Sequence, residues 1–282
     1  MKLEDVRKKA ALLTQNEEDE HALFWLLLEL LNYSYNDYIL KKDQIINDNL
    51  INEYFKLVDK YINENIPVQY LIGHTYFYGK KFIVNKHTLI PRFETEELIS
   101  KTINYLKKYN PKQHYKILDL ATGSGCIGIT IKQLLNCDVT MSDINSNTLE
   151  VAKQNALKHN VDVNIIQSDW FENINDKYDL IISNPPYIKS DDNLSLKVLK
   201  EPNEALFSGE LGIDSYTEIL SNINQYLNNK GMIAFEHGYE QKQLLKNLSN
   251  EKLTNVKIIQ EKDLNKKDHY TFIFMMEENN EK

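Results

Sequence analysis

A short apolar run that ends in two prolines sets the strongest local constraint on this 282-residue chain. Residues 179–182 read Asp-Leu-Ile-Ile, and residues 183–188 read Ser-Asn-Pro-Pro-Tyr-Ile. A short, β-branched run that stops abruptly predicts a buried strand. Consecutive prolines lack N–H groups and fix φ, so the chain must leave the sheet as a stiff loop. For the Asn-Pro pair alone, an ordinary turn is the alternative interpretation.

The stiff loop carries hydrogen-bond acceptors at the carboxyl end of a strand, where open α/β sheets bind ligands. Asn184 offers a side-chain carbonyl, and Pro185 offers a backbone carbonyl that no substitution removes. Two acceptors aimed at one point suit an NH2 group on a planar system. We therefore predict that Asn184, Pro185 and Tyr187 are the catalytic residues.

A glycine-rich segment upstream predicts a nucleotide-type site. Residues 116–128 read as a strand, a turn with three glycines nearby and the start of an amphipathic helix. Asp119 ends the strand, and Asp143 ends the next apolar run about 20 residues later, where a carboxylate can accept bonds from both ribose hydroxyls. No Gly-Lys-Ser/Thr follows, which excludes a P-loop. The pattern predicts a nucleoside ligand, and a dinucleotide is the alternative on this motif alone.

Together the two motifs resemble the class I S-adenosylmethionine-dependent methyltransferases, and further segments narrow the resemblance to release-factor glutamine methyltransferases of the PrmC/HemK type. These segments follow the family's order and span nearly the whole chain: 69–73, 89–96, 118–126, 168–171, 201–202, 205–206 and 262–264. Three positions depart from the family pattern. Phe93 stands where a second proline is usual, Ala121 where glycine is frequent, and His269 where arginine is usual.

The resemblance implies a doubly wound α/β fold: a mostly parallel seven-stranded sheet with a small N-terminal helical domain and a β-hairpin bridge. The expected limits are 1–72 for the helical domain, which would contact the release factor, 73–93 for the hairpin linker and 94–282 for the methyltransferase domain. The alternation of apolar runs with helical stretches independently indicates a doubly wound sheet.

The individual elements follow from the spacing of apolar residues. Strands are predicted at 116–120, 138–142, 162–167, 179–183, 231–236, 256–261 and 270–276, and the last two should pair antiparallel because a short polar loop joins them. Residues 74–86 predict a hairpin around Tyr78 and Gly79. In the N-terminal region, helices are predicted over 19–31 and 50–62, and near the start from the spacing of Leu3, Val6, Ala10 and Leu13.

The resemblance implies S-adenosyl-L-methionine as the methyl donor, S-adenosyl-L-homocysteine as the product and a peptide chain release factor as the protein substrate. The implied acceptor is the amide nitrogen, N5, of the glutamine in the substrate's Gly-Gly-Gln loop. A glutamine of a ribosomal protein and N6 of adenine in nucleic acid are alternative acceptors. A non-catalytic binding module is a further alternative, against which the intact Asn-Pro-Pro-Tyr loop and Asp143 argue.

The same resemblance assigns the remaining site residues. The donor residues are expected to be Asp119, Ala121, Thr122, Gly123, Ser124, Gly125, Asp143, Asp169, Trp170 and Asn184. The substrate residues are expected to be Arg92, Asn184, Pro185, Pro186 and Tyr187. Arg92 is one of only two arginines, so it indicates either a planar, bidentate contact with the substrate or an ordinary Arg–Glu pair.

Composition limits the partners. A net charge of −8 argues against a duplex-scale phosphate footprint, so we expect no direct nucleic-acid partner. Cys126 and Cys137 lie beside apolar segments and are predicted to be buried free thiols, and no Cys/His cluster has metal-ligand spacing. The longest apolar run, 22–28, is too short to cross a membrane, and the charged N-terminus is unlike a secretory leader. We expect a cytoplasmic monomer whose polar tail frays from Glu277 onward.

Overall fold

The computed structural model describes residues 1–14 and 16–276. The chain forms two compact units. The first comprises residues 1–75 together with the later segment 194–200, and the second comprises 76–193 and the described residues from 201 onward. The expected fraying of the tail from Glu277 concerns residues outside the described part of the chain.

The first unit is helical. Its helices are α1 (Leu3–Ala11), α2 (Glu17–Leu31), α3 (Tyr35–Lys41), α4 (Asp48–Ile62) and α5 (Val68–Ile72). Side chains cap three of them: Asn16 accepts from Asp19 N, Asn47 accepts from Leu50 N, and Ser34 forms a capping box with Asp37. The predicted helices over 19–31 and 50–62 are confirmed within two residues at each end.

The apolar spacing near the N-terminus is correct for three of its four residues. Leu3, Val6 and Ala10 are buried on α1, whereas Leu13 lies beyond the end of this helix and is 51% exposed. The helix core also contains Tyr54, whose hydroxyl donates to Leu23 O at 3.0 Å. A buried tyrosine is stable there because its polar end has a partner.

The segment 194–200 returns to the helical unit from the middle of the chain. It ends in a 3₁₀ turn over Val198–Lys200. The ammonium group of Lys197 donates to the Asp19 carboxylate and lies 3.9 Å from the centre of the Tyr61 ring. An ion pair and a cation–π contact therefore hold this short segment within the helical unit.

Strands alternate with helices in the second unit, and its first strand begins with the last two residues of the preceding segment 1–75. The elements in chain order are β1 (His74–Phe77), β2 (Lys80–Ile83), α6 (Phe93–Tyr109), β3 (Tyr115–Leu120), α7 (Cys126–Leu134), β4 (Cys137–Asp143), α8 (Ser146–Lys158), β5 (Asn164–Gln167), β6 (Tyr178–Ser183), α9 (Asp214–Asn222), β7 (Leu227–Glu236), α10 (Lys242–Lys252), β8 (Val256–Lys262) and β9 (Asp268–Met275). Strands β1 and β2 form the predicted hairpin as a separate two-stranded sheet.

The other seven strands form one sheet in the order β5-β4-β3-β6-β7-β9-β8. The first five strands of this order are parallel, and β9 is antiparallel to both β7 and β8. The fold class predicted from the sequence is therefore confirmed. All six residues of β6 are buried, as expected for a central strand covered on both faces.

Strand β7 begins four residues earlier than predicted. Residues 228–231, which read Asn-Asn-Lys-Gly, are polar and indicate a turn in the sequence. In the structure Tyr178 pairs with Leu227 while Leu180 pairs with Met232, so the polar residues form an irregularity inside the strand. A bulge of this kind adds residues to one strand without ending the pairing.

The sheet order places a topological switch point beside β3. The chain runs outward through β4 and β5 on one side of β3 and through β6 and β7 on the other. A crevice forms at the carboxyl ends of strands where the order reverses in this way. Both predicted motifs, the glycine-rich turn after β3 and the Asn-Pro-Pro-Tyr loop after β6, end at this crevice.

Candidate active site

A cavity of about 370 Å³ lies at the carboxyl ends of the central strands. Ten of the predicted site residues line it: Arg92, Ala121, Thr122, Gly123, Ser124, Asp143, Asp169, Trp170, Asn184 and Pro186. Four others, Asp119, Gly125, Pro185 and Tyr187, are absent from the lining formed by the described residues. The structure thus brings both motifs to one cavity.

The glycine-rich turn is held open by backbone bonds. Thr122 N donates to Ser142 O at 2.8 Å, and Gly125 N donates to Thr122 O at 2.9 Å. Three residues have positive φ: Ala121 (59°), Gly123 (57°) and Gly125 (81°). Ala121 is in the left-handed region that glycine adopts without steric cost, which is a physical reason for glycine at this position.

Asp119 lies under the turn and is fully buried. Its Oδ2 accepts from the Thr122 hydroxyl and from Gly128 N at 2.8 Å, while its Oδ1 has no partner among the described residues. Burial, partly offset by these two bonds, raises the pKa of the Asp119 carboxyl to about 7. Asp119 therefore links the turn to the start of α7, and it does so at a cost in desolvation.

We predict that Asp119→Asn flattens the pH dependence of stability. Between the ordinary value near 3.8 and the folded value of about 7, the folded state holds this proton and the unfolded state does not. The free energy of unfolding therefore falls as pH rises through this window, by at most about 1.4 kcal/mol per pH unit. Urea unfolding at pH 5, 6, 7 and 8 measures the effect. The free energy of unfolding of the variant, relative to that of the wild type, should increase with pH over this series.

The control is Asp162→Asn, because Asp162 is an exposed carboxyl near the start of β5. Above pH 5 the control should follow the wild-type profile. Equal slopes for the wild type and Asp119→Asn would show that Asp119 keeps an ordinary pKa.

Asp143 closes the other side of the turn. Its Oδ2 accepts from Gly123 N at 3.0 Å and its Oδ1 from Asn145 N at 3.1 Å. Burial, partly offset by these bonds, raises the pKa of the Asp143 carboxyl. The helix N-cap is Asn145, which accepts from Asn147 N, so Asp143 does not cap α8. A carboxylate has about four acceptor positions, which leaves two for a ligand in the cavity.

We predict that Asp143→Ala weakens donor binding by about 10- to 100-fold, because hydrogen bonds to a charged group contribute about 1.5–3 kcal/mol. Calorimetric titration with S-adenosyl-L-methionine measures the effect. The same variant should lose less affinity for an analogue without ribose hydroxyls, since only the effect on the turn remains. An unchanged affinity for S-adenosyl-L-methionine would contradict the expected contact of Asp143 with the ribose hydroxyls.

Two further residues of the cavity come from the segment after β5. Asp169 and Trp170 line the wall, and Ser168 N donates to Asp143 O at 3.0 Å, which ties this segment to the end of β4. Trp170 has a φ of 43°, a conformation that bulky residues rarely adopt. The backbone is therefore fixed in an uncommon conformation next to the cavity.

The Asn-Pro-Pro-Tyr loop is held by its side chains and backbone. Asn184 Nδ2 donates to Glu236 Oε1 at 2.9 Å and lies 3.4 Å from Thr95 Oγ1. The Tyr187 carbonyl accepts from Gln241 Nε2 at 2.7 Å. Pro185 is buried. Both ends of the loop are thus fixed by buried residues of other elements.

Comparison with known proteins agrees with this architecture. The family model of the Methyltransferase small domain matches residues 100–240, and that of the PrmC N-terminal domain matches residues 6–73. Two curated relatives named "Release factor glutamine methyltransferase" align over most of their length. The Bacillus cereus protein is 32% identical over 96% of this chain and 98% of its own, and the Streptococcus pneumoniae protein is 34% identical over 89% and 90%.

The chain belongs to the release factor glutamine methyltransferase family. Other relatives are longer: a Rickettsia typhi protein named "Bifunctional methyltransferase" is 38% identical over 77% of this chain, and the alignment spans 46% of that protein. The chain therefore spans about half the length of these bifunctional relatives.

Solved structures share the fold at lower identity. A methyltransferase from Pyrococcus furiosus aligns with a TM-score of 0.52 at 18% identity, over 79% of this chain and 98% of its own. The hMettl16 catalytic domain, solved in complex with MAT2A 3'UTR hairpin 6, aligns with a TM-score of 0.53 at 11% identity, over 83% of this chain and 84% of its own. In the described chain, none of the helices has the length and apolar character needed to cross a membrane.

In this release factor glutamine methyltransferase family member, Arg92 is paired within the protein. Its Nη2 donates to Glu201 Oε1, and Glu201 Oε2 accepts from Ile90 N at 2.8 Å. Arg92 also lines the cavity and is about one-third exposed. Of the two interpretations of Arg92, the structure shows the Arg–Glu pair. Contact of its remaining N–H groups with the substrate stays a prediction.

Sequence reasoning missed three residues that hold the site together: Thr95, Glu236 and Gln241. Thr95 lies in a segment that carries the family resemblance, and Glu236 ends a strand. Neither signal indicates that both side chains contact Asn184.

Both cysteines are buried free thiols, as predicted.

Proposed function

We propose that the protein transfers the methyl group of S-adenosyl-L-methionine to the side-chain amide nitrogen, N5, of the glutamine in the Gly-Gly-Gln loop of a peptide chain release factor. The observation that carries the proposal is the orientation of the side-chain amide of Asn184. Its amide nitrogen is directed to Glu236 and Thr95, so its carbonyl oxygen is available on the cavity side of the loop. Membership of the family supports the choice of a release factor as the acceptor protein.

The cavity fits the expected donor. One of its lining residues, Ser142, has a buried hydroxyl without a hydrogen-bond partner among the described residues, and the buried Ser124 hydroxyl has only the Cys126 thiol beside it. Buried polar atoms normally have partners, so these hydroxyls support a polar ligand in the cavity. Asp143 has spare acceptor positions and Trp170 offers an aromatic wall. When bound, S-adenosyl-L-methionine supplies a methyl group on a sulfonium centre, and S-adenosyl-L-homocysteine is the product.

The protein's own groups act by positioning the acceptor. An amide nitrogen is a poor nucleophile because its lone pair is delocalised into the carbonyl. In the proposed arrangement, Asn184 Oδ1 and the Pro185 carbonyl accept the two N–H bonds of the glutamine and fix its nitrogen facing the methyl group. Such bonds favour positive charge on that nitrogen, and positioning can contribute roughly 7–11 kcal/mol. Tyr187 would pack against the amide plane. No strong general base is needed, because the methylated nitrogen loses its proton readily.

We assign contact with the release factor to residues 1–72, a segment that largely coincides with the match to the PrmC N-terminal domain model over 6–73. All residues in the proposed mechanism come from one chain, so a monomer suffices. The proposed substrate is a component of translation, and we therefore place the reaction in the cytoplasm.

The test is transfer of a labelled methyl group from S-adenosyl-L-methionine to a purified release factor, with the same factor carrying Gln→Ala in its loop as the control. Label on the first and not on the second would support both the reaction and the residue. If neither protein is labelled while calorimetry shows that the donor still binds, the release factor is not the acceptor. A ribosomal protein or adenine in nucleic acid would then be favoured. Label on both would place the methyl group on another residue.

A further inference from the structure

Glu236 is a buried carboxylate that the mechanism above does not use. It ends β7 and is 1% exposed. Its Oε1 accepts from Asn184 Nδ2 at 2.9 Å, and its Oε2 accepts from the Thr95 hydroxyl at 2.8 Å. A carboxylate buried this deeply needs partners to offset the loss of hydration. Here one of those partners is the residue that we expect to bind the substrate.

The chemistry of the contact determines the orientation of Asn184. An ionised carboxylate can only accept hydrogen bonds, whereas an amide side chain can present either its NH2 group or its carbonyl oxygen. Against Glu236 the NH2 group must face the carboxylate, which directs the carbonyl oxygen away from it. Thr95 Oγ1, 3.4 Å from the same nitrogen, donates its own proton to Glu236 and so offers lone pairs to the amide. In the reverse orientation, the carbonyl oxygen of Asn184 would face the carboxylate oxygen of Glu236, and neither atom could donate a hydrogen bond.

His269 provides charge compensation on the other side of Glu236. Its Nε2 lies 3.6 Å from Glu236 Oε1. Burial lowers the pKa of His269, but the hydrogen bond and charge of Glu236 outweigh it and the net pKa is raised. Asp263 and Glu94 act in the same direction. The neighbouring His237 has a pKa lowered mainly by burial and adds little positive charge. The contact therefore places an imidazole with a raised pKa beside the oxygen of Glu236 that also accepts from Asn184.

We propose that Glu236 is a positioning residue of the methyl-transfer reaction, which fixes the side-chain amide of Asn184 with its carbonyl oxygen toward the acceptor glutamine. The inference rests on the proposed function. It adds to that function a residue that touches neither the donor nor the acceptor. Thr95 and His269 support Glu236 by the contacts described above.

The decisive variant is Glu236→Gln. It keeps the shape of the side chain, but one of its two end groups becomes a hydrogen-bond donor. A glutamine side chain can donate to Asn184 Oδ1, so the wrong orientation of Asn184 competes with the correct one. We expect kcat for transfer to the release factor to fall about 10- to 100-fold, comparable to the loss of a supporting hydrogen bond at a catalytic group. The affinity for S-adenosyl-L-methionine should stay within about twofold.

Glu261→Gln is the matched control. Glu261 is also a carboxylate on this sheet, held by Lys101 and Tyr105, and it has no contact with Asn184. Its variant should keep the wild-type kcat. Thr95→Val is the second variant, for use if Glu236→Gln does not fold. It replaces the hydroxyl that donates to Glu236 with a methyl group, and it should also lower kcat.

A double-mutant cycle separates positioning from a general structural role. In an Asn184→Ala background, Glu236→Gln should cost little further activity, since the group it orients is gone. A wild-type kcat in Glu236→Gln, or an equal loss in both backgrounds, would overturn the proposal while the proposed function stands. A wild-type protein without transfer to the release factor would overturn the proposed function and this inference together.

Discussion

Replacement of Asn184 by alanine is expected to lower kcat for methyl transfer about 10²- to 10³-fold, the typical cost of removing one preorganised hydrogen-bonding group at the reacting atoms. The variant loses the only side-chain oxygen of the loop that can accept from the glutamine amide in the proposed arrangement. The residues that we expect to bind the donor, in the glycine-rich turn and at Asp143, are unchanged. Single-turnover transfer to the release factor and calorimetric titration with S-adenosyl-L-methionine measure the two effects separately.

The control is Asn247→Ala, which removes an exposed asparagine of α10 whose side chain accepts from Gln243 in the same helix. It should leave both quantities unchanged. Normal turnover by Asn184→Ala would show that the acceptor is held by other groups. A loss of donor affinity as large as the loss in kcat would instead assign Asn184 to the donor.

The second large effect is expected at Gly212, on the loop that packs behind the Asn-Pro-Pro-Tyr loop. Gly212 has a φ of 69°, and a Cβ atom there would lie 2.2 Å from the Tyr187 carbonyl oxygen and 2.4 Å from Gln241 Nε2. These two atoms form the hydrogen bond that holds the end of the catalytic loop. Gly212→Ala should therefore displace Tyr187, lower the free energy of unfolding by about 2–5 kcal/mol and reduce kcat.

Gly79→Ala is the matched control for this variant. Gly79 has a similar φ of 71°, but a Cβ atom there meets nothing within 4 Å. It should show only the cost of the left-handed conformation, about 1–2 kcal/mol, with kcat unchanged. If urea unfolding gives the two variants the same stability, the steric contact with Tyr187 contributes nothing.

The sequence predicts the elements well where the physical signal is local. Seven strands and the sheet class follow from short apolar runs, and the two motifs follow from glycines and prolines that restrict or free the backbone. Ten of fourteen predicted site residues line one cavity for this reason. The start of β7 was missed because its polar residues form an irregularity that only the neighbouring strand reveals.

The network behind the cavity could not be predicted in the same way. Thr95 and Glu236 are 141 residues apart, and Asn184 and Glu236 are 52 apart. A polar residue near a strand end has many possible partners until the topology fixes which ends are neighbours. The resemblance marked His269 as a departure from the family, but its contact with Glu236 becomes visible only once β7 and β9 are paired.

The segment 194–200 has a consequence for how the protein can be divided. Because this segment belongs to the helical unit, the chain crosses between the two units three times, after residues 75, 193 and 200. A fragment ending at residue 75 would leave Asp19 and Tyr61 without Lys197, and a fragment starting at residue 76 would carry Lys197 without either. Exchange of the N-terminal region between relatives therefore calls for two grafted pieces, one of them only seven residues long.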